Sequence, residues 1–127
     1  MIYARVTHNQ RPSYHDVIIY QGATFSDTVT IRNTDGTPFD LTNFNGRGRI
    51  SKVEQSESDI ILSVAITDAT NGILTISLSS EQTADIRTIN GAQTWSVYDV
   101  EIFDSSTPPT VHRVVQGQVL IEPEITT

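Results

Sequence analysis

An all-β fold, either a β-sandwich or a barrel, is what this sequence predicts, and three observations lead there. Val, Ile and Thr are plentiful while strong helix formers are sparse, which is the composition of strands. Short apolar–polar alternations recur, the cleanest at Ile60, Leu62, Val64 and Ile66. Turn signals separate them: Asp35-Gly36, Asn71-Gly72, Asn90-Gly91 and Pro108-Pro109. Together they give about seven or eight short strands. A length of 127 residues favours one domain and can bury a core without disulfides.

The order of elements follows from these signals. Residues 1–15 are mixed and polar, and read as an N-terminal arm: an edge strand, or an extension docking on a neighbour. The β domain then runs from residue 16 to 127. Val17–Tyr20 is a short strand, and Gly22 permits a bend after it. Phe25–Arg32 follows, with Phe25, Asp27, Val29 and Ile31 on one face and Thr24, Ser26, Thr28 and Thr30 on a wet one. After Asp35-Gly36, Pro38 fixes the exit, and Phe39, Leu41 and Phe44 are apolar anchors.

Phe44, Gly46, Gly48 and Ile50 alternate with Asn45, Arg47 and Arg49, so the glycines leave room on the inward face for Trp95 or Tyr98. Residues 51–59 read as an exposed loop. The strands through Ile66 and Leu78 form a hairpin about Asn71-Gly72. Ser79 or Ser80 can cap a helix of about two turns through Asp85 or Ile86, and Ser79 with Gln82 fits a capping box. Trp95–Phe103 is a strand with Tyr98, Val100 and Ile102 inward and Asp99 and Glu101 outward. Val111–Ile121 is the last strand, bent near Gly117.

Charge removes several functions. Eight basic against fifteen acidic residues give a net charge of −7, which repels phosphate backbones. The cations are dispersed along the chain, with only Arg47, Arg49 and Lys52 close in sequence. Without cysteine there is no disulfide framework and no thiolate metal site. Residues 1–5 carry no secretory signal, and no apolar run approaches the roughly 18 residues that span a bilayer. Synthesis in a cytosol, or in a particle assembled there, is the expectation.

Catalytic readings are weighed residue by residue. His8, His15 and His112 lie in no metal-binding frame and read as exposed or interface side chains. Asp99 and Glu101 share one strand face, as an acid–base pair would, but neighbouring carboxylates on a wet strand are common and no cleft-forming insertion accompanies them. Asn33-Thr34-Asp35-Gly36 looks like a calcium-loop fragment whose other ligands are missing, so it reads as a turn. Gly46-Arg47-Gly48 lacks the Lys and Ser/Thr of a phosphate loop, and no Gly-x-Ser-x-Gly elbow occurs. Trp95 near Tyr98 could form a sugar platform, but one Trp in a small β domain is expected in the core. No catalytic, cofactor-binding or metal-binding residue is assigned.

Five stretches carry a resemblance. Gln21-Gly22-Ala23-Thr24 enters a strand, residues 35–42 form a DG-x-P-x-DLT corner, and residues 71–78 an NG-x-[IL]-T[IL]-x-L hairpin. Tyr98–Glu101 is a Y-D-[LV]-E strand, and residues 117–126 a closing G-x-[VL]-x-[IL]-x-P-E-[VI]-T end. In this order they resemble a family of small phage virion proteins, which includes the N-terminal domain of siphophage upper baseplate proteins and stand-alone tail proteins. The resemblance covers about 110 residues.

It implies an immunoglobulin-like antiparallel β-sandwich with one short helix, in a non-enzymatic structural protein of the phage tail or baseplate. Such a protein is found in the virion after assembly in the host bacterial cytoplasm. Its partners are other virion proteins and copies of itself, not nucleic acid or membrane. In baseplate proteins of this type further chain follows the last strand, whereas this sequence stops at Thr127, so a separately encoded building block is expected. A capsid decoration protein is the alternative within structural proteins. From another class comes a carbohydrate-binding module, for which Trp95, Tyr98 or Tyr20 would be exposed.

Overall fold

A computed structural model of the chain describes residues 1–6, 11–51, 59–86, 88 and 91–124. Among these residues nine strands and one short helix follow one another: β1 (Ile2–Val6), β2 (Ser13–Tyr14), β3 (Val17–Tyr20), β4 (Phe25–Asn33), β5 (Asn45–Ser51), β6 (Ile60–Asp68), β7 (Ile73–Leu78), α1 (Ser80–Ala84), β8 (Thr94–Phe103) and β9 (Val111–Glu122). They form one sheet in the order β1-β4-β7-β6-β5-β8-β9, with β2 and β3 both along the far edge of β9. The Arg5 amide of β1 donates to Ser13 Oγ of β2 at 3.3 Å, so the sheet nearly closes into a barrel. The all-β expectation holds. The pairing does not display the two separate sheets of an immunoglobulin-like sandwich, because β6 joins both halves: residues 60–62 pair with β5, and residues 63–68 with β7.

Alternation builds the core. Inward residues Val29, Ile31, Leu74, Ile76, Val100, Ile102, Val115 and Val119 have no exposed surface, and each such side chain contributes about 1.5–3 kcal/mol by leaving water. The stretch read as an arm takes the edge-strand option in its described part. β1 lies parallel to β4, Ile2 opposite Val29, with Ile2 and Ala4 buried. Thr30, placed on a wet face by alternation alone, is buried as well.

Two glycine readings change. Gly46 and Gly48 do face inward, but Val64 and Leu62 fill the space above them, not Trp95 or Tyr98. The pairing of β9 with β8 runs unbroken through Gly117, opposite Tyr98. Its irregularity is a bulge, since Val100 opposes Val115 while Glu101 opposes Arg113, leaving Val114 unmatched. One extra residue reverses which parity faces the core, so Val114 and Val115 are both buried. Gly117 instead lets the His15 backbone cross at a distance no side chain would allow. There the Tyr98 hydroxyl donates to the His15 carbonyl and Asp16 Oδ1 accepts from the Gln118 amide at 2.8 Å. Burial, with the Asp16 charge nearby, raises the Tyr98 pKa well above that of a free phenol.

The local signals elsewhere are met. Ser79 caps α1, and Ser79 and Gln82 form the reciprocal box. Gly36 and Gly72 adopt positive φ in their turns. Asn90 of the Asn90-Gly91 signal and residues 52–58 of the expected loop lie outside the described residues. Gln21 and Gly22 tie the helix down: Gln21 Nε2 donates to the Ile86 carbonyl at 2.8 Å, Gln21 Oε1 accepts from the Glu124 amide at 2.9 Å, and the Gly22 amide donates to Thr83 Oγ1 at 3.1 Å. Leu41 is buried, and Phe39 and Phe44 pack on the core beside His112, with ring centroids 5.9 and 6.3 Å from it. No helix among the described residues is long and apolar enough to cross a membrane.

One capping device recurs at Asp35-x-Thr37, Asp40-x-Thr42 and Asp104-x-Ser106, where the carboxylate accepts the hydroxyl and amide two residues on. Asp104 also accepts the Thr110 amide at 2.8 Å, closing the loop between β8 and β9. The Ser106 hydroxyl first, and the Thr110 amide after it, hold the Asp104 carboxyl below its ordinary 3.8. A depressed folded pKa adds stability that is complete above the ordinary value and lost as pH falls through the folded one. Asp104→Asn is therefore expected to lower Tm at pH 7. Calorimetry should find that difference shrinking once the pH falls well below 3.8. A difference that persists unchanged in acid would contradict the linkage.

Candidate interaction surface

Strand parity leaves an apolar stripe on the outside. In β8, Thr94, Tyr98, Val100 and Ile102 face inward, so Trp95 and Val97 face out. Trp95 lies opposite Leu120 of β9, which lies opposite Ile18 of β3. Tyr20 continues the same face of β3. Trp95 is 52% exposed, Val97 52%, Ile18 48% and Tyr20 59%, which makes this a contiguous patch and not scattered single residues. Trp95 is therefore not a core residue, correcting the sequence reading, whereas Tyr98 is buried at 4% exposure.

Beside the stripe runs a charged band. Arg47 pairs with Glu101 at 2.7 Å and stacks over Phe103 at 4.7 Å, Arg113 reaches Asp99 and Glu101 at 3.7 and 3.9 Å, and Arg49 pairs with Asp59 at 3.5 Å. The two carboxylates that could suggest acid–base chemistry are thus each engaged by arginine. Between band and stripe lies an open depression of about 350 Å³ bordered by Tyr14, Arg49, Val97, Asp99, Gln116 and Gln118.

The other candidates are dispersed. His15 is exposed beside Gly117, His112 packs on Phe39 and Phe44, and His8 lies outside the described residues. Among the described residues no three of His, Cys, Asp and Glu gather as metal ligands would. Asn33–Gly36 is a turn closed by its own backbone, the Asn33 amide donating to the Thr37 carbonyl at 2.8 Å. Gly46-Arg47-Gly48 lies within β5. What the arrangement offers chemically is adhesion: desolvation of aromatic and branched side chains, framed by charges that fix orientation.

No protein-family model matches the chain, and none of the curated proteins matches it. Among solved structures, the N-terminal domain of ORF48 of phage TP901-1 superimposes with a TM-score of 0.60 at 14% identity, over 95% of each chain. The chain shares its fold with a phage protein domain. The resemblance read from the five motifs is thus met by a phage domain along nearly the whole length of both chains. Two looser likenesses are the bradyzoite-specific antigen BSR4 of Toxoplasma gondii and the internalin-like protein lmo2027 of Listeria monocytogenes. The first has a TM-score of 0.38 and 7% identity, over 90% of this chain and 45% of that one. The second has a TM-score of 0.38 and 16% identity, over 87% and 28%.

Proposed function

We propose that this chain is a non-enzymatic structural component of a phage particle, placed in the tail or baseplate and held there by surface complementarity. The observation that carries the reading is the row of exposed Trp95 and Ile18 flanking half-buried Leu120 on a fold shared with a phage domain. A partner covering the row, with Tyr20 and Val97, removes the patch from water. Strand edges and the terminal stretches, residues 1–15 and 122–127, supply further contacts to copies of the chain and to other virion proteins. Partners are protein, not nucleic acid or membrane. The test is mass spectrometry and electron microscopy of purified particles. Copies of the chain at the tail end support the reading, copies over the capsid shell favour a decoration protein, and absence from particles overturns both.

Carbohydrate binding is a second reading because Trp95 and Tyr20 are both exposed on one face. Trp95 is the single tryptophan, so its emission reports the patch alone. The free protein is expected to show red-shifted, readily quenched fluorescence. A shift on adding host polysaccharide favours sugar binding, whereas a shift only on adding virion proteins favours assembly.

A further inference from the structure

The fold gathers three cations that the sequence scatters. Arg5, Arg11 and Arg32 line an open groove of about 590 Å³ at the β1–β2 seam, together with Tyr3, Ser13 and Gly36. Arg5 and Arg32 are direct cross-strand partners in the parallel β1–β4 pair. Like charges in that position destabilise a sheet. Neither guanidinium meets a carboxylate among the described residues. Arg5 donates to the Thr34 carbonyl at 3.1 Å and Arg32 to the Gly36 carbonyl at 3.0 Å. The nearby Asp35 carboxylate is turned to its own turn by Thr37. A chain with fifteen carboxylates thus keeps three arginines together with no acid in the groove among the described residues. Folding alone gives no reason for this, whereas a bound carboxylate relieves the repulsion and offers bidentate pairing.

We propose that the seam groove receives carboxylates from a second copy of this chain, joined head to tail. Outside the groove only five of the eight cations remain against the fifteen carboxylates, so another copy is itself an acidic surface. The strongest match is the end of the barrel at α1. Glu81 and Asp85 lie on and just after the helix, and Glu124 is tied to Gln21 beside it. None of these three forms an ion pair among the described residues, and all three are exposed. One copy cannot join its own two surfaces. Phe25 of β4 pairs with Leu78 at the α1 end, while Arg32 lies near the other end of that strand, roughly 23 Å away at 3.3 Å per residue. Contact between two different surfaces repeats from copy to copy, and closes a ring where the rotation allows. The inference extends the particle reading above by naming a self-contact.

Sedimentation of the full chain at high-micromolar concentration and physiological salt tests it. The wild type is expected to self-associate. Arg5→Glu/Arg32→Glu and Glu81→Lys/Glu124→Lys should each weaken association at least about tenfold through like-charge contact, with thermal melts showing both folded. Should the glutamate pair unfold the chain, Arg5→Ala/Arg32→Ala replaces it. Mixing the two variants should restore a complex, because the intact groove of one meets the intact acidic end of the other. A monomeric wild type, variants that associate as the wild type does, or a mixture that stays monomeric would each overturn the self-contact. Binding by a monomeric wild type to a different virion protein, lost in the arginine variant, would put a foreign acidic partner in the groove and overturn it too. Absence of the chain from particles would sink the particle reading alone and leave this solution result standing.

Discussion

Gly72→Ala is expected to destabilise the protein by about 3 kcal/mol or more. Gly72 ends the β6–β7 hairpin at φ +71, where an alanine pays roughly 1–2 kcal/mol. Space is the larger problem. A Cβ there would overlap the Ile31 carbonyl and lie 2.7 Å from the Phe39 carbonyl oxygen, both backbone atoms that no rotamer change can move. Three segments meet at this point: the Ile31 amide donates to the Gly72 carbonyl at 2.8 Å, the Phe39 amide to the Ile31 carbonyl at 3.0 Å, and the Leu41 amide to the Ala69 carbonyl at 2.8 Å. Making room displaces residues 38–41, and Leu41 with them. A Tm lower by about 10 °C is expected for a chain of this size. Gly36→Ala is the control. Its φ is +89 but nothing lies within 4 Å of the added carbon, so strain alone, about 1 kcal/mol, should appear. Equal losses at the two glycines would contradict the docking of residues 38–41 on the hairpin.

Ile102→Ala should cost about 3–5 kcal/mol in denaturant unfolding, toward the upper end for such truncations. Ile102 has no exposed surface and lies opposite Gly46 of β5. Its cross-strand partner therefore has no side chain to lean into the gap, and Val64 already occupies the space over the glycine. A site that cannot collapse keeps its cavity. Ile61→Ala, on the outer face of β6 at 69% exposure, should change stability by no more than about 0.5 kcal/mol. A cost below about 1.5 kcal/mol at Ile102 would mean that the inward face of β8 is not packed as described.

Much of this fold was legible because its signals are local. The Asn71-Gly72 hairpin, the Ser79–Gln82 capping box and the inward set Tyr98, Val100 and Ile102 each depend on a few consecutive residues. What escaped depends on partners distant in sequence. Ile2 and Ala4 alternate over too few residues to declare a strand, and are buried only because β4 lies beside them. The extra residue at Val114 exists only in register with β8. Trp95 was open to reasoning: an odd separation from Tyr98 puts it on the opposite face of a regular strand, so the two could not both point inward. The preference of tryptophan for cores hid that parity. The grouping of Arg5, Arg11 and Arg32 had no sequence signature, since parallel pairing brings together residues 27 apart.

The claim on which the functional account rests is that the Trp95–Leu120–Ile18 face is covered in an assembled particle. The direct measurement is incorporation of an Ile18→Asp/Trp95→Ala variant into particles, with the free variant shown by thermal melting to be folded. The account predicts that the folded variant stays in the soluble fraction while the wild type enters particles. Incorporation of the variant at wild-type copy number would show that this face is not where the chain is held.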